Sequence, residues 1–240
     1  MSGPDRPEQR PGRPLVSVII PTFNREGFLP QALESAFAQD YRPIEIVVVD
    51  DGSTDGTVDL LRAWPDVLCI RRPHRGVSAA YNTGIASSRG SILAFLDSDD
   101  LWPANRLTVA IAHFEAHPEI GYVLGRQILF AEPGCQVPSW VKPEWVAVPQ
   151  DASNTGALLA RRETFLRVGG LNTEFASGED TEWLVRASEA GVPMTRLPEV
   201  LVQVRLHGAN LSVETFASRK ANVFRIARES IHRRRNGKAL

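Results

Sequence analysis

Residues 91–100 read SILAFLDSDD. The apolar run 92–96 predicts a buried strand. It ends in three carboxylates within four positions, Asp97, Asp99 and Asp100. Carboxylates clustered at a buried strand end repel one another and lose hydration. A divalent cation relieves that cost, and hard cations such as magnesium or manganese share their oxygen ligands with phosphates. The stretch points to a strand whose C-terminal end offers a metal to a phosphorylated ligand. The blander alternative is an acidic turn that caps the next helix, with Asp99 or Asp100 as N-cap and Pro103 in its first turn. On this stretch alone the two readings stand even.

Working outward, residues 15–20 and 44–49 are further β-branched, apolar strands. Pro21 and Asn24 break the first. A helix over 26–39 follows, with Phe28, Leu29, Ala32, Leu33, Ala36 and Phe37 at helical spacing. The second ends in DDGSTD, residues 50–55. Strand, turn, helix and strand make a βαβ unit with a right-handed crossover. Both acidic ends then lie on one edge of a mainly parallel sheet, where open α/β sheets bind ligands. Turn and cap chemistry is the alternative for Asp50 and Asp51, but one cap is all the helix needs. Residues 71–75, RRPHR, form a basic loop ahead of a helix over 76–88. Arg71 and Arg72 read as solvated, and Arg75, beside the helix start, reads as a phosphate contact.

The whole chain narrows the classes. At 240 residues and 43% apolar it can bury one large α/β core. Its 27 Lys and Arg against 28 Asp and Glu give no basis for a nucleic-acid partner. Two cysteines, Cys69 and Cys135, are no disulfide framework, which points to a reducing, cytoplasmic setting. No apolar run approaches the roughly 20 residues of a membrane span. Residues 1–14 lack the apolar centre of a secretory signal and have the composition of a disordered tail.

The second half carries three features. Residues 132–150 are proline-rich, with Trp140 and Trp145 as loop anchors or as a stacking wall for a sugar. Glu179 and Asp180 open a helix, with Asp180 either its N-cap or a fixed carboxylate aimed into a cleft. A strand over 201–206 runs into RLHGANLS, residues 205–212, with His207 at its end. An amphipathic C-terminal helix then finishes in His232, Arg233, Arg234 and Arg235. That end reads as a solvated terminus favoured by the helix dipole. Peripheral contact with anionic lipid at the inner face of a membrane would need more charge or apolar area than the sequence displays.

The segments VSVIIPTFN (16–24), EIVVVDDGSTDGT (45–57), GVSAAYNTGIASSRG (76–90) and LAFLDSDD (93–100) occur in order. Together they resemble the nucleotide-binding half of a family 2 glycosyltransferase, and the likeness resumes at 169–183 and 205–212. The resemblance implies a single α/β domain of GT-A type, a mixed and mainly parallel sheet flanked by helices with a Rossmann-like nucleotide-binding half. Residues 15–100 would bind the nucleotide sugar and 101–212 the acceptor, after a tail at 1–14 and before a helical end at 213–240. The implied activity is inverting transfer of a sugar from a nucleotide-diphosphate donor, most often a UDP-sugar, to an acceptor hydroxyl, assisted by manganese or magnesium. Asp180 matches the catalytic base. Pro21, Thr22 and Asn24 match nucleoside-pocket positions, and Asp51 would accept from the uracil ring N–H. Asp99 and Asp100 divide ribose and metal roles between them, Asp97 is a further candidate, and Glu179 would raise the pKa of Asp180. His207 completes the metal set if the 205–212 loop folds over the occupied site. One departure is Tyr81, where relatives commonly have Arg. The non-enzyme alternative is an inactive nucleotide-sugar-binding or scaffolding protein. A Rossmann dehydrogenase and a P-loop kinase are excluded, because neither G-x-G-x-x-G nor G-x-x-x-x-G-K-[ST] occurs where it is needed.

Overall fold

Three apolar runs form the centre of the sheet. They are β1 (Val16–Thr22), β2 (Ile44–Asp50) and the shorter β4 (Ile92–Phe95), with β3 (Val67–Arg71) outside β2. The computed structural model describes residues 12–135, 137, 141–208, 210, 216–235 and 237. β1 is buried at every position, because helices cover both faces of this part of the sheet. Alternate side chains serve opposite layers. Val16, Val18 and Ile20 pack with α1 (Leu29–Phe37) and α4 (Arg106–Ala116). Ile19 faces the other layer, with Tyr81 of α3 (Val77–Ser87) and Phe165 of α5 (Arg162–Val168). Trp183 of α6 (Glu179–Glu189) completes that layer. α3 lies so close to the sheet that a Cβ on Gly84 would come within 2.4 Å of Ile19 Cγ2.

The sheet order is β3-β2-β1-β4-β7-β5-β6, with β8 paired to β5. β1, β2, β3 and β4 are mutually parallel. β7 (Leu158–Arg161) is antiparallel to β4 and to β5 (Tyr122–Ala131), so β5 runs the same way as β4. β6 (Gln150–Asp151) is antiparallel to β5, and β8 (Met194–Leu206) is parallel to it. The C-terminal end of β8 therefore arrives at the same edge as that of β4.

Several boundaries differ from the sequence expectation. α1 starts at Leu29 rather than Glu26, because the amides of Phe28 and Leu29 turn back onto the carbonyl of Arg25. Pro30 is tolerated in that first turn, where its missing N–H would be unpaired anyway. α2 is short (Thr57–Leu61). β8 begins at Met194, seven residues before the expected strand, and its register against β5 shifts between Leu124 and Gln127.

Arg106, unremarked in the sequence, is fully buried at the start of α4. Its guanidinium lies 4.0 Å over the Trp102 ring. It donates to the carbonyls of Leu201 (2.7 Å), Leu158 (3.0 Å) and Gly156, joining β7, β8 and the turn before β7. Burial without a carboxylate partner lowers its pKa to about 9.

Candidate functional site

The three carboxylates at the end of β4 turn to three different partners. Asp97 accepts a 2.6 Å hydrogen bond from the Tyr81 hydroxyl. Burial raises the Asp97 pKa to about 6, aided by the charges of Asp99 and Asp180 and opposed by Tyr81 and Arg25. Asp100 is buried and accepts from the backbone N–H of Arg205 at 2.9 Å. Burial, then Asp99 and Asp97, hold its pKa well above the usual range. Asp99 faces two nitrogens, His207 Nε2 at 2.9 Å and Arg25 Nε at 3.3 Å, both on Oδ2. Burial opposes its ionisation, but those partners outweigh it and the pKa falls.

The capping alternative fails here. α4 begins at Arg106 with Asn105 at the N-cap position, five residues beyond Asp100.

His207 stands one residue past the end of β8, which by itself brings the imidazole to Asp99. The Arg-x-His-x-x-Asn spacing has a local cause. Asn210 accepts from the His207 N–H (2.6 Å) and donates to the Arg205 carbonyl (2.9 Å). Arg205 donates to the Asp99 carbonyl (2.8 Å) and to Gln31 Oε1 (2.7 Å), and pairs with Glu132. Phe28 stacks on the imidazole at 4.4 Å between centroids.

The residues fit a hard divalent cation in one respect. Adjacent ligands of an octahedral ion with bonds of about 2.1 Å lie about 3 Å apart, close to the separation of Asp99 Oδ2 and His207 Nε2. Among the described residues no three His, Cys, Asp or Glu side chains converge on one point, so this pair would supply only part of the shell. Magnesium and manganese sites at diphosphates have this character, one or two protein ligands completed by phosphate and water.

At the end of β2 the carboxylates are tied mainly to the fold, with Asp50 Oδ2 buried and without a hydrogen bond. Asp50 Oδ1 accepts from the Ser53 N–H, and Oδ2 lies 3.4 Å from Arg71 Nε. Asp51 accepts from the amides of Arg75 (3.1 Å) and Gly76 (2.7 Å) and lies against Arg72 Nε (3.2 Å) and His74 Nδ1 (2.9 Å). The expectation that Arg71 and Arg72 are merely solvated is thus incorrect, since both neutralise buried aspartates. Arg75 meets Asp51 through its backbone, and its side chain is exposed.

Pro21 and Thr22 end β1, and Thr22 Oγ1 is buried with no hydrogen-bond partner. Asn24 has φ +51°, and its Oδ1 accepts from the Thr54 N–H at 2.8 Å, locking the first loop onto the second. Next to it the Phe23 ring stacks on His74 at 4.2 Å.

Asp180 is not the N-cap of α6. Gly178, at φ +82°, occupies that position, and Asp180 is the second helical residue. Its Oδ1 accepts from the Thr181 N–H at 2.5 Å. The turn before it is fastened by Asn82, whose side chain bonds both the N–H and the carbonyl of Leu171 at 2.8 Å. Asp180 is near enough to raise the pKa of Asp97, and Glu179 that of Tyr81, so both lie towards the β4 end. Trp145 is partly exposed in the proline-rich loop, with Lys142 over its ring at 5.3 Å. Trp140 and Ser212 lie outside the described residues.

Sequence reasoning missed Arg25, a cation directly after the first motif, and the Tyr81–Asp97 contact. A basic residue beside Asn24, on the sheet edge that carries three carboxylates, was the available signal for the first.

Residues 17–153 match the profile of glycosyl transferase family 2. Over 229 residues the chain is 25% identical to a chondroitin synthase of Escherichia coli, covering 92% of this chain and 33% of that protein. An uncharacterized glycosyltransferase of Haemophilus influenzae is 26% identical over 210 residues, 84% of this chain and 71% of that one. Mannosyltransferase PcManGT from Pyrobaculum calidifontis, solved in complex with GDP-Man and Mn2+, superposes with a TM-score of 0.66 at 26% identity over 85% of this chain and 60% of that one. The S. aureus TarS 1-349 complex with UDP-GlcNAc, at TM-score 0.67 and 21% identity over 82% of this chain and 60% of that one, shares the fold. The chain spans about a third of the length of the chondroitin synthase.

Proposed function

The chain belongs to glycosyl transferase family 2, and from that premise we propose that it transfers a sugar from a nucleotide-diphosphate donor to an acceptor hydroxyl. The observation that carries the reading is the meeting of Asp99, His207 and Arg25 at the end of β4, with Asp180 approaching from α6. PcManGT, solved in complex with GDP-Man and Mn2+, supports a nucleotide-sugar donor and a divalent ion. We take the donor to be UDP-linked and the ion to be manganese or magnesium.

Asp99 and His207 would hold the ion, whose contribution is to offset the negative charge that develops on the departing diphosphate. Arg25 lies on the same oxygen of Asp99 and adds a fixed positive charge there. Asp180 takes the proton of the acceptor hydroxyl as its oxygen attacks the anomeric carbon. The new C–O bond forms as the bond to the β-phosphate breaks, and this single displacement inverts the anomeric carbon. Tyr81 orients Asp97, whose other oxygen is left to a hydroxyl of the donor. Asp100 ties the turn to β8. Pro21, Thr22, Asn24 and Asp51 shape the nucleoside side, and Asp51 does so while holding the 72–76 loop.

A panel of UDP- and GDP-sugars, with manganese and without acceptor, tests this by release of free nucleotide. Slow hydrolysis of at least one donor, lost in Asp180→Asn, is expected. Binding of a donor with no hydrolysis or transfer under any condition would favour the inactive, binding-only protein.

A further inference from the structure

The last helix, α7 (Phe216–Arg235), has one face settled by contacts. Ile226 and Ser230 are buried, Asn222 donates to the Ser177 carbonyl at 2.8 Å, and Arg233 pairs with Glu189 at 2.7 Å. Arg225 lies over Phe175 and pairs with Glu174 and Glu229. The opposite face is open and mixes apolar side chains with arginines. Val223, Phe224 and Ile231 are 55%, 75% and 52% exposed. At 100° per residue Phe224, Ala227 and Ile231 fall on one stripe.

Cations lie within and beside that stripe, Arg228 and Arg235 within about 40° of Phe224. Arg228, Arg234 and Arg235 are exposed there, and an open hollow lined by Arg228, Glu229, His232 and Arg233 runs along the same helix. The helix holds seven of the chain's 27 Lys and Arg and one of its 28 Asp and Glu, so it carries +6 and the remainder −7. An apolar stripe set among arginines on a helix about 30 Å long is the pattern of a helix lying in a lipid interface. No helix among the described residues is long and apolar enough to cross a membrane.

We infer that the outer face of α7 docks the protein on an anionic lipid surface. Phe224 and Ile231 enter the headgroup boundary while Arg228, Arg234 and Arg235 meet lipid phosphates. Charge decides between this occupant and a second copy of the chain, since pairing the face with itself would bring like-charged arginines together. The sequence alone left the apolar area in doubt, and exposure of Val223, Phe224 and Ile231 supplies it. α7 packs on the turn that leads to Asp180, with Ile226 Cδ1 3.8 Å from where a Gly178 Cβ would stand. Docking would thus bring the turn that leads to Asp180 close to the membrane, a consequence that rests on the transferase reading.

Flotation of the full chain with vesicles tests the surface without reading transfer, so it fails or succeeds independently of that reading. Phosphatidylcholine vesicles should recruit little protein. Vesicles with about a third phosphatidylglycerol should recruit most of it, less as salt is raised. Phe224→Ser with Ile231→Ser should weaken recruitment at least about tenfold, and Arg234→Glu with Arg235→Glu by a similar factor, with the melting temperature unchanged. Failure of the wild type to float with anionic vesicles would overturn the inference. So would a dimer in solution that the Phe224 and Ile231 substitutions dissociate.

Discussion

Two strands end in acidic turns on the same edge of the sheet, and they are built in opposite ways. At the end of β2 the carboxylates are answered from within, save that Asp50 Oδ2 has an arginine 3.4 Å away and no hydrogen bond. Asp51 receives two backbone amides, an arginine and a histidine, and Asp50 receives an amide and an arginine. At the end of β4, Asp97, Asp99 and Asp100 raise one another's cost of ionisation, and the answering groups are fewer. A buried carboxylate paired by the chain serves as a wall, because its charge is already spent. A cluster left short of positive charge is poised for a cation from outside. The sequence motifs look alike, and their neutralisation separates them.

The largest expected effect separates the β4 end from β2. Asp180→Asn should lower transfer by roughly 100-fold or more, the scale of a missing general base, with donor affinity kept. Steady-state kinetics that show kcat within a few-fold of wild type would leave Asp180 as a helix residue only. Asp99→Asn should abolish the gain in donor affinity given by manganese and lower the melting temperature by only a few degrees, the cost of losing a charge that His207 and Arg25 stabilise. If it unfolds the protein instead, the β4 end is structural in the same sense as the β2 end.

Asp51→Asn should do the reverse. It breaks the ties to Arg72 and His74 and sets an amide N–H₂ against two backbone donors. A loss of about 2 kcal/mol is expected, or about 4–8 °C in melting temperature for a chain of this size. An unchanged melting curve would show that the 72–76 loop holds itself.

Asp100 sharpens the comparison with the smallest effect. Its folded pKa is raised, so it binds a proton more tightly folded than unfolded. Its ionised form therefore costs stability, and the cost disappears as pH falls below the folded pKa. In chelator at neutral pH, Asp100→Asn should match or exceed wild-type stability by up to about 1 kcal/mol, since Asn can still accept from the Arg205 N–H. The gap should close as pH is lowered. A loss as large as that of Asp51→Asn would erase the distinction.

Much of this was legible in the chain. Apolar runs that end in Asp identify the parallel core and the edge where its acidic turns gather, because burial and charge at successive positions leave few alternatives. His207 was legible as a member of a spaced pattern, and Asn210 explains the spacing. Arg25 against Asp99 and Tyr81 against Asp97 were not, since each contact joins segments whose approach is set by the crossover and by α3 packing on β1. Arg106 was invisible for a related reason. Its four carbonyl partners come from β4, β7, β8 and the turn before β7, and nothing local marks a helix-starting arginine as buried.

The central claim is that Asp99 and His207 form a cation-dependent diphosphate site at the end of β4. Thermal shift with a nucleotide sugar, with and without manganese, on wild type, Asp99→Asn and His207→Ala tests it directly. Donor at 100 times its Kd should stabilise the wild type by about 2.7 kcal/mol in manganese. Chelator should remove most of that, and both substitutions should remove the manganese-dependent part, each shift being read against that variant's own unliganded melting temperature. Equal stabilisation of all three proteins in excess chelator would contradict the claim.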